Sequence, residues 1–152
     1  MGEIKNMEAI VKDHPFFKAL PPAQLKLLAG CAANVRFEPG EMITKSNEPA
    51  DKFYIIREGR VAIEINPPGR GAIIIETLAD GDVIGWSWMF PPFTWNLDAR
   101  ALEPIKAVSL DGKCLRGKMD KDHDLGYELH TRFARLMLER IRALREQLIQ
   151  HV

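Results

Sequence analysis

Between residues 35 and 110 the chain alternates short Val/Ile-rich runs with proline, glycine and aspartate turns. Val35-Arg36-Phe37 runs into Pro39-Gly40, and Glu41-Met42-Ile43-Thr44 follows. Phe53-Tyr54-Ile55-Ile56 ends at Glu58-Gly59, after which Val61-Ala62-Ile63-Glu64-Ile65 resumes. Residues 66–71, Asn-Pro-Pro-Gly-Arg-Gly, form a loop, and Ala72 to Leu78 is a further apolar run closed by Asp80-Gly81-Asp82. Asp98 to Leu102 and Ile105 to Leu110 complete the set. β-Branched residues fit a pleated surface, while Gly and Pro supply the turn conformations between them. Strands this short, punctuated at this spacing, predict a small all-β roll or sandwich.

Helices bracket this region. Met7 to Val11 precedes Pro15-Phe16-Phe17, where proline ends or redirects a helix. Pro21-Pro22 starts a second one, in which Leu25, Leu28 and Ala29 recur at helical spacing until Gly30. Toward the C-terminus Asp111 can cap a short helix containing Leu115 and Met119, and Asp122 or Asp124 a long one running to about Gln150. On that helix Leu125, Leu129, Phe133, Leu136, Met137, Ile141, Leu144 and Leu148 fall on one broad arc. So long an apolar face predicts a parallel homodimer through its lower part. Arg140 lies near the middle of the arc, where a charge needs a partner. The alternatives are an anionic ligand, an ion pair with Glu139 or Glu146, or a stem lying on apolar surface with its head in water. Arg132, Arg135, Arg142 and Arg145 read as a solvated face.

Composition narrows the function classes. Acidic and basic residues balance at 21 each, so no global field attracts nucleic acid or an anionic membrane. No run is apolar enough to span a bilayer and the first residues lack a signal-peptide core, which predicts a cytoplasmic protein. Cys31 and Cys114, far apart in sequence, are expected to be buried free thiols. They cannot hold an iron–sulfur cluster, and the four histidines show no metal spacing. No nucleophile–base pair, carboxylate pair or P-loop is present, so no enzyme activity is expected.

Phe37-Glu38-Pro39-Gly40-Glu41, residues 49–61 (Pro-Ala-Asp-Lys-Phe-Tyr-Ile-Ile-Arg-Glu-Gly-Arg-Val) and Gly81-Asp82-Val83-Ile84-Gly85 resemble, in order and spacing, the cyclic nucleotide-binding domain of the catabolite activator protein superfamily. The likeness covers roughly residues 7–150, including the lead-in Phe16-Phe17-Lys18-Ala19-Leu20-Pro21-Pro22. It implies an α+β fold: an eight-stranded double-stranded β-helix (a jelly-roll-like β-roll) with N-terminal helices and a long C-terminal helix. Residues 1–120 would form the roll with its flanking short helices. Residues 121–152 would form the long helix, as dimer contact and pocket lid.

The resemblance also implies where a ligand would sit. Family members hold a cyclic phosphate in a cassette that follows a glycine such as Gly85, on the backbone N–H groups of a short helix. A glutamate after that glycine accepts from the ribose, and a later arginine neutralises the phosphate. Aligned on Gly85 and Arg100-Ala101, this chain has Trp86 at the glutamate position and Trp95 at the arginine position. Arg100 is expected to pair with Asp98 on its own strand face. The candidate ligand-binding residues are therefore Gly85, Trp86, Ser87, Trp88, Met89, Trp95, Asn96 and Arg140, with the Ser87 to Met89 N–H groups as an anion cradle.

Two functions follow from these replacements. One is a non-enzymatic sensor, with no cofactor, that binds a cyclic nucleotide or another small molecule on its tryptophans and signals through the C-terminal helix. The other is a ligand-free dimerisation or docking module whose pocket Trp86, Trp88 and Trp95 plug. A third reading makes the chain the sensor part of a longer transcription regulator. With no helix-turn-helix after the long helix, DNA binding by this chain alone is not expected.

Overall fold

The computed structural model describes residues 2–151, with side chains from Asn6 to His151. Helix α1 (Gly2–Asp13) ends before Pro15, and a single 3₁₀ turn (Pro15–Phe17) leads to α2 (Pro22–Ala29). His14 secures that turn: its Nδ1 accepts from the Phe16 N–H (3.2 Å), and its Nε2 lies 3.0 Å from the Ile56 carbonyl. Eight strands follow: β1 (Ala32–Phe37), β2 (Met42–Thr44), β3 (Lys52–Glu58), β4 (Val61–Ile65), β5 (Ile73–Leu78), β6 (Val83–Ile84), β7 (Asp98–Ala101) and β8 (Ile105–Asp111).

The strands form two four-stranded antiparallel sheets, ordered β1-β8-β3-β6 and β2-β7-β4-β5. This is the predicted β-roll. Along β4 and β7, Val61, Ile63, Ala99 and Ala101 point into the core with Ile56, Leu78, Ile84, Ile105 and Ala107. Alternate residues such as Arg100 point out, as the period of two requires. Gly59, between β3 and β4, has φ +113°, and a Cβ there would meet the Pro104 carbonyl oxygen at 2.6 Å, so the hairpin needs glycine.

Two expectations fail in the roll. Arg100 does not pair with Asp98. Its Nε meets Glu64 Oε1 at 3.2 Å, diagonally across the β4–β7 ladder, while Asp98 accepts from the Ser46 N–H and from Asn66. Diagonal cross-strand neighbours lie about 7–8 Å apart, within reach of a side chain as long as arginine, and the Asp98 carboxylate is already engaged by Ser46 and Asn66. Nor are the cysteines free: Cys31 and Cys114 form a disulfide with Cα atoms 5.8 Å apart. The β1–β8 register pairs Ala32 with Leu110, which sets the residue before β1 beside the first turn after β8.

Helix α3 (Gly112–Lys121) begins there, with Asp111 Oδ1 accepting from the Cys114 N–H at 2.8 Å. One compact unit runs through Gly117 and a second starts at Lys118. The second unit contains α4 (His123–Gln150), capped by Asp122, whose Oδ1 accepts from the Leu125 N–H. Full burial on α4 is confined to Leu125, Gly126, Leu129 and Phe133. Ile141, Leu144 and Leu148 are exposed. Arg132 departs from the expected solvated face: its side chain is mostly buried and pairs with Glu128 one turn earlier, at 3.5 Å.

Candidate functional site

From Gly85 to Leu97 no residue is charged. The segment leaves β6 through Gly85 (φ +90°), makes one 3₁₀ turn over Ser87–Met89 and reaches β7 at Asp98. Its shape is held from three sides. Underneath, the Trp88 indole is fully buried and stacked on Phe53, with ring centroids 5.0 Å apart and planes at 17°. On one flank, residues 93–95 lie beside residues 47–50. The Asn47 N–H donates to Trp95 O (2.8 Å), the Trp95 N–H to Glu48 O (2.9 Å) and the Ala50 N–H to Phe93 O (2.7 Å).

The third side is the first turns of α3. The Gly112 N–H donates to Asp51 O at 2.7 Å, and a Cβ on Gly112 would stand 2.9 Å from Trp88 Cβ. Arg116 donates from Nη1 to the Trp88 carbonyl, and its guanidinium carbon sits 4.2 Å above the centre of the Phe93 ring. Such a cation over an aromatic face is attracted by the ring quadrupole. Sequence reasoning passed over Arg116 and Phe93, because nothing in their spacing, 23 residues apart, announces contact.

Trp95 decides what space is left. Its ring lies directly on Gly85: a Cβ there would be 2.1 Å from Cζ3 and 2.3 Å from Cη2. The residue is only 8% exposed. The ring thus occupies the apex of the cassette, and the missing side chain of Gly85 makes room for it.

The sequence-predicted residues divide accordingly. Gly85, Trp86, Ser87, Trp88, Met89 and Trp95 come together in this segment. Trp86 is half-buried and precedes the 3₁₀ turn. Trp88 has its side chain in the core, and its carbonyl accepts from Arg116. The cradle expected from three N–H groups is reduced, because Met89 donates its N–H to Trp86 O at 3.0 Å, closing the 3₁₀ turn. Asn96 lines a different cleft, of about 380 Å³, with Ser46, Asn47, Glu64 and Asp98. Arg140 is half-buried on α4, in the second unit. Among the described residues no group of three or more His, Cys, Asp or Glu could hold a metal ion, and no helix is long and apolar enough to cross a membrane.

Comparison with known proteins places these features. The profile of the family described as "Cyclic nucleotide-binding domain" matches residues 34–122. A CRP-like cAMP-activated global transcriptional regulator of Mycobacterium tuberculosis is 26% identical over 110 residues, covering 72% of this chain and 49% of the regulator. The chain spans about half the length of that relative and less of a cGMP-dependent protein kinase of Eimeria tenella, of which it covers 11%. Among solved structures, a cyclic nucleotide-binding domain from Methylobacillus flagellatus KT superposes with a TM-score of 0.81 at 17% identity, covering 98% of this chain and 84% of that one. The sensor domain of the transcriptional regulator DNR from Pseudomonas aeruginosa gives 0.73 at 20% identity, covering 93% and 95%. At these identities the two structures speak for the fold alone.

Proposed function

The chain belongs to the cyclic nucleotide-binding domain family, and from that membership we propose that it is a non-enzymatic sensor whose ligand cassette is closed by its own tryptophan. The observation that carries this is the Trp95 ring seated on Gly85. The family resemblance puts the phosphate-neutralising arginine at that position. A cyclic nucleotide entering in the family's manner meets an aromatic ring there, and Trp86 where a carboxylate would take the ribose hydroxyl.

The energetic consequence is large. A hydrogen bond to a charged group contributes roughly 1.5–3 kcal/mol, so loss of the arginine contact alone weakens a nucleotide by about one to two orders of magnitude. What the segment offers instead is aromatic side chains with no charge of its own, half-buried Trp86 and exposed Phe90 among them, suited to stacking on a planar ligand. Binding would displace the Trp95 ring, and the closed and open cassettes are the two states a ligand would rebalance.

The output in this proposal is α4. Its exposed Ile141, Leu144 and Leu148 repeat at spacings of three and four, the pattern of a helix-to-helix seam, and support a parallel homodimer. The relatives include transcription regulators, and the chain spans about half of one, which supports a role as the sensor of a larger regulatory protein in the cytoplasm. The second reading, a permanently plugged docking module, is favoured by the burial of both Trp88 and Trp95.

Titrating cyclic AMP and cyclic GMP while following tryptophan emission and melting temperature separates the two. All three tryptophans lie in the cassette, so the emission reports on nothing else. A saturable change with either nucleotide, or with a metabolite mixture, is the outcome expected of a sensor. Silence in all of them leaves the docking module.

A further inference from the structure

The Cys31–Cys114 bond lies next to the cassette rather than apart from it. Cys114 is in the first turn of α3, between Gly112, which supports Trp88, and Arg116, which holds the Trp88 carbonyl and the Phe93 ring. Across the bond, Cys31 ends the connection from α2 into β1, with its N–H on Leu28 O at 2.9 Å. The disulfide therefore ties the turn that carries Arg116 to the edge of the roll, closing a loop 83 residues long. A crosslink over so long a loop removes much freedom from any state in which α3 has come away.

The two cysteines are also held together independently of the bond. The Asp111 N–H donates to Cys31 O at 2.9 Å, and the same residue's carboxylate accepts from the Cys114 N–H. One residue thus fixes both cysteine backbones. A pair kept in register after reduction can re-form its bond without refolding of the chain. Cys31 is 8% exposed, whereas Cys114 is half-buried and is the less covered of the two residues.

We propose that Cys31 and Cys114 form a reversible thiol–disulfide switch that tightens the aromatic cassette when oxidised and loosens it when reduced. In the reducing direction a thiolate of a dithiol reductant attacks Cys114 Sγ. A mixed disulfide forms, and Cys31 leaves as a thiolate with the bond's electron pair and takes up a proton. The second thiol of the reductant then attacks the mixed disulfide on its own sulfur, releasing Cys114. Two electrons and two protons pass to the chain, and the reductant ends as its own disulfide. Disulfides in a reducing compartment are usually transient and regulatory, which agrees with the cytoplasmic setting proposed above. The inference rests on the sensor reading only for its consequence, since cassette order can be read without a ligand.

The test is hydrogen exchange on the full chain poised in reduced and oxidised dithiothreitol buffers of graded potential, with alkylation and mass measurement counting thiols in each. Reduction should add two alkylatable thiols together and speed amide exchange in residues 86–96 by about tenfold, reversibly. The Cys31→Ser/Cys114→Ser variant should exchange at the fast rate with or without reductant. If that variant fails to fold, Cys114→Ser alone serves the same comparison. A bond that never forms across the series overturns the proposal. So does exchange in residues 86–96 that is equal in both redox states, even with a lower melting temperature on reduction, because that marks a structural staple. Nucleotide titration of both forms, run alongside, tests the sensor reading separately: a cassette that loosens on reduction yet binds nothing fails that reading and supports the switch.

Discussion

The Trp95 ring rests on Gly85 so closely that a methyl group at Gly85 would lie 2.1 Å from Cζ3. Gly85 also has φ +90°, a region that side chains with a Cβ rarely enter. Both constraints act on one atom. Gly85→Ala is expected to lose about 2–4 kcal/mol of stability and to expel the indole, shifting tryptophan emission to the red. Denaturant unfolding and emission spectra check this; a folded variant with unchanged emission would show that the ring lies elsewhere.

Restoring the family's polar anchors is the complementary experiment. Trp86→Glu with Trp95→Arg removes the ring and returns a carboxylate and a guanidinium to the cassette. Affinity for cyclic AMP or cyclic GMP should rise by about one to two orders of magnitude relative to the unaltered chain, as measured by calorimetry. A folded double variant with no gain would count against the assignment of these two positions.

His14 makes stability depend on pH. It accepts at Nδ1 from the Phe16 N–H, so the ring is neutral in the fold and Nε2 donates to the Ile56 carbonyl. Burial pushes its pKa below the ordinary 6.5, outweighing the Ile56 carbonyl and the Asp82 charge, which act the other way. The unfolded chain therefore binds the proton more readily. The stability from neutral His14 is complete above about pH 6.5 and declines as the pH falls below it, until the folded state also protonates. Melting temperatures between pH 5 and 8 should show this slope, and His14→Gln should lack it.

The lower half of α4 carries the assembly prediction. Leu144→Glu with Leu148→Glu places charges on the exposed seam and should convert a dimer to a monomer in sedimentation equilibrium, with the roll's stability unchanged. A wild-type chain that sediments as a monomer would remove the dimer from the proposed mechanism.

How far these features could be read in advance depended on how local their causes are. Glycine turns at Gly40, Gly59 and Gly81 and the apolar runs between them were legible, because a positive φ and a period-two pattern are written in adjacent residues. Asp111 was legible as a cap for the same reason, and the long helix's cap was legible to within Asp122 or Asp124, of which the structure uses Asp122. Strand ends were less so: β1 begins at Ala32, three residues before the apolar signal at Val35, because β8 supplies a partner for it. Within the site, aromatic crowding marked the right segment but could not sort its members. Trp88 and Trp95 differ by position in the fold, one stacked on Phe53 and the other on Gly85.

By itself, then, the sequence determined a small β-roll or sandwich between helices and an uncharged aromatic stretch from Gly85 to Leu97, since both follow from residue types in short windows, while the family resemblance chose the roll and made that stretch a ligand cassette. Only the tertiary structure decided which residues meet. The β1–β8 register joined Cys31 to Cys114, the β4–β7 ladder gave Arg100 to Glu64, and α3 carried Arg116 to Phe93. Each of these contacts spans many residues of chain. Its partners are chosen by the pairing of whole strands and helices, which no local window encodes.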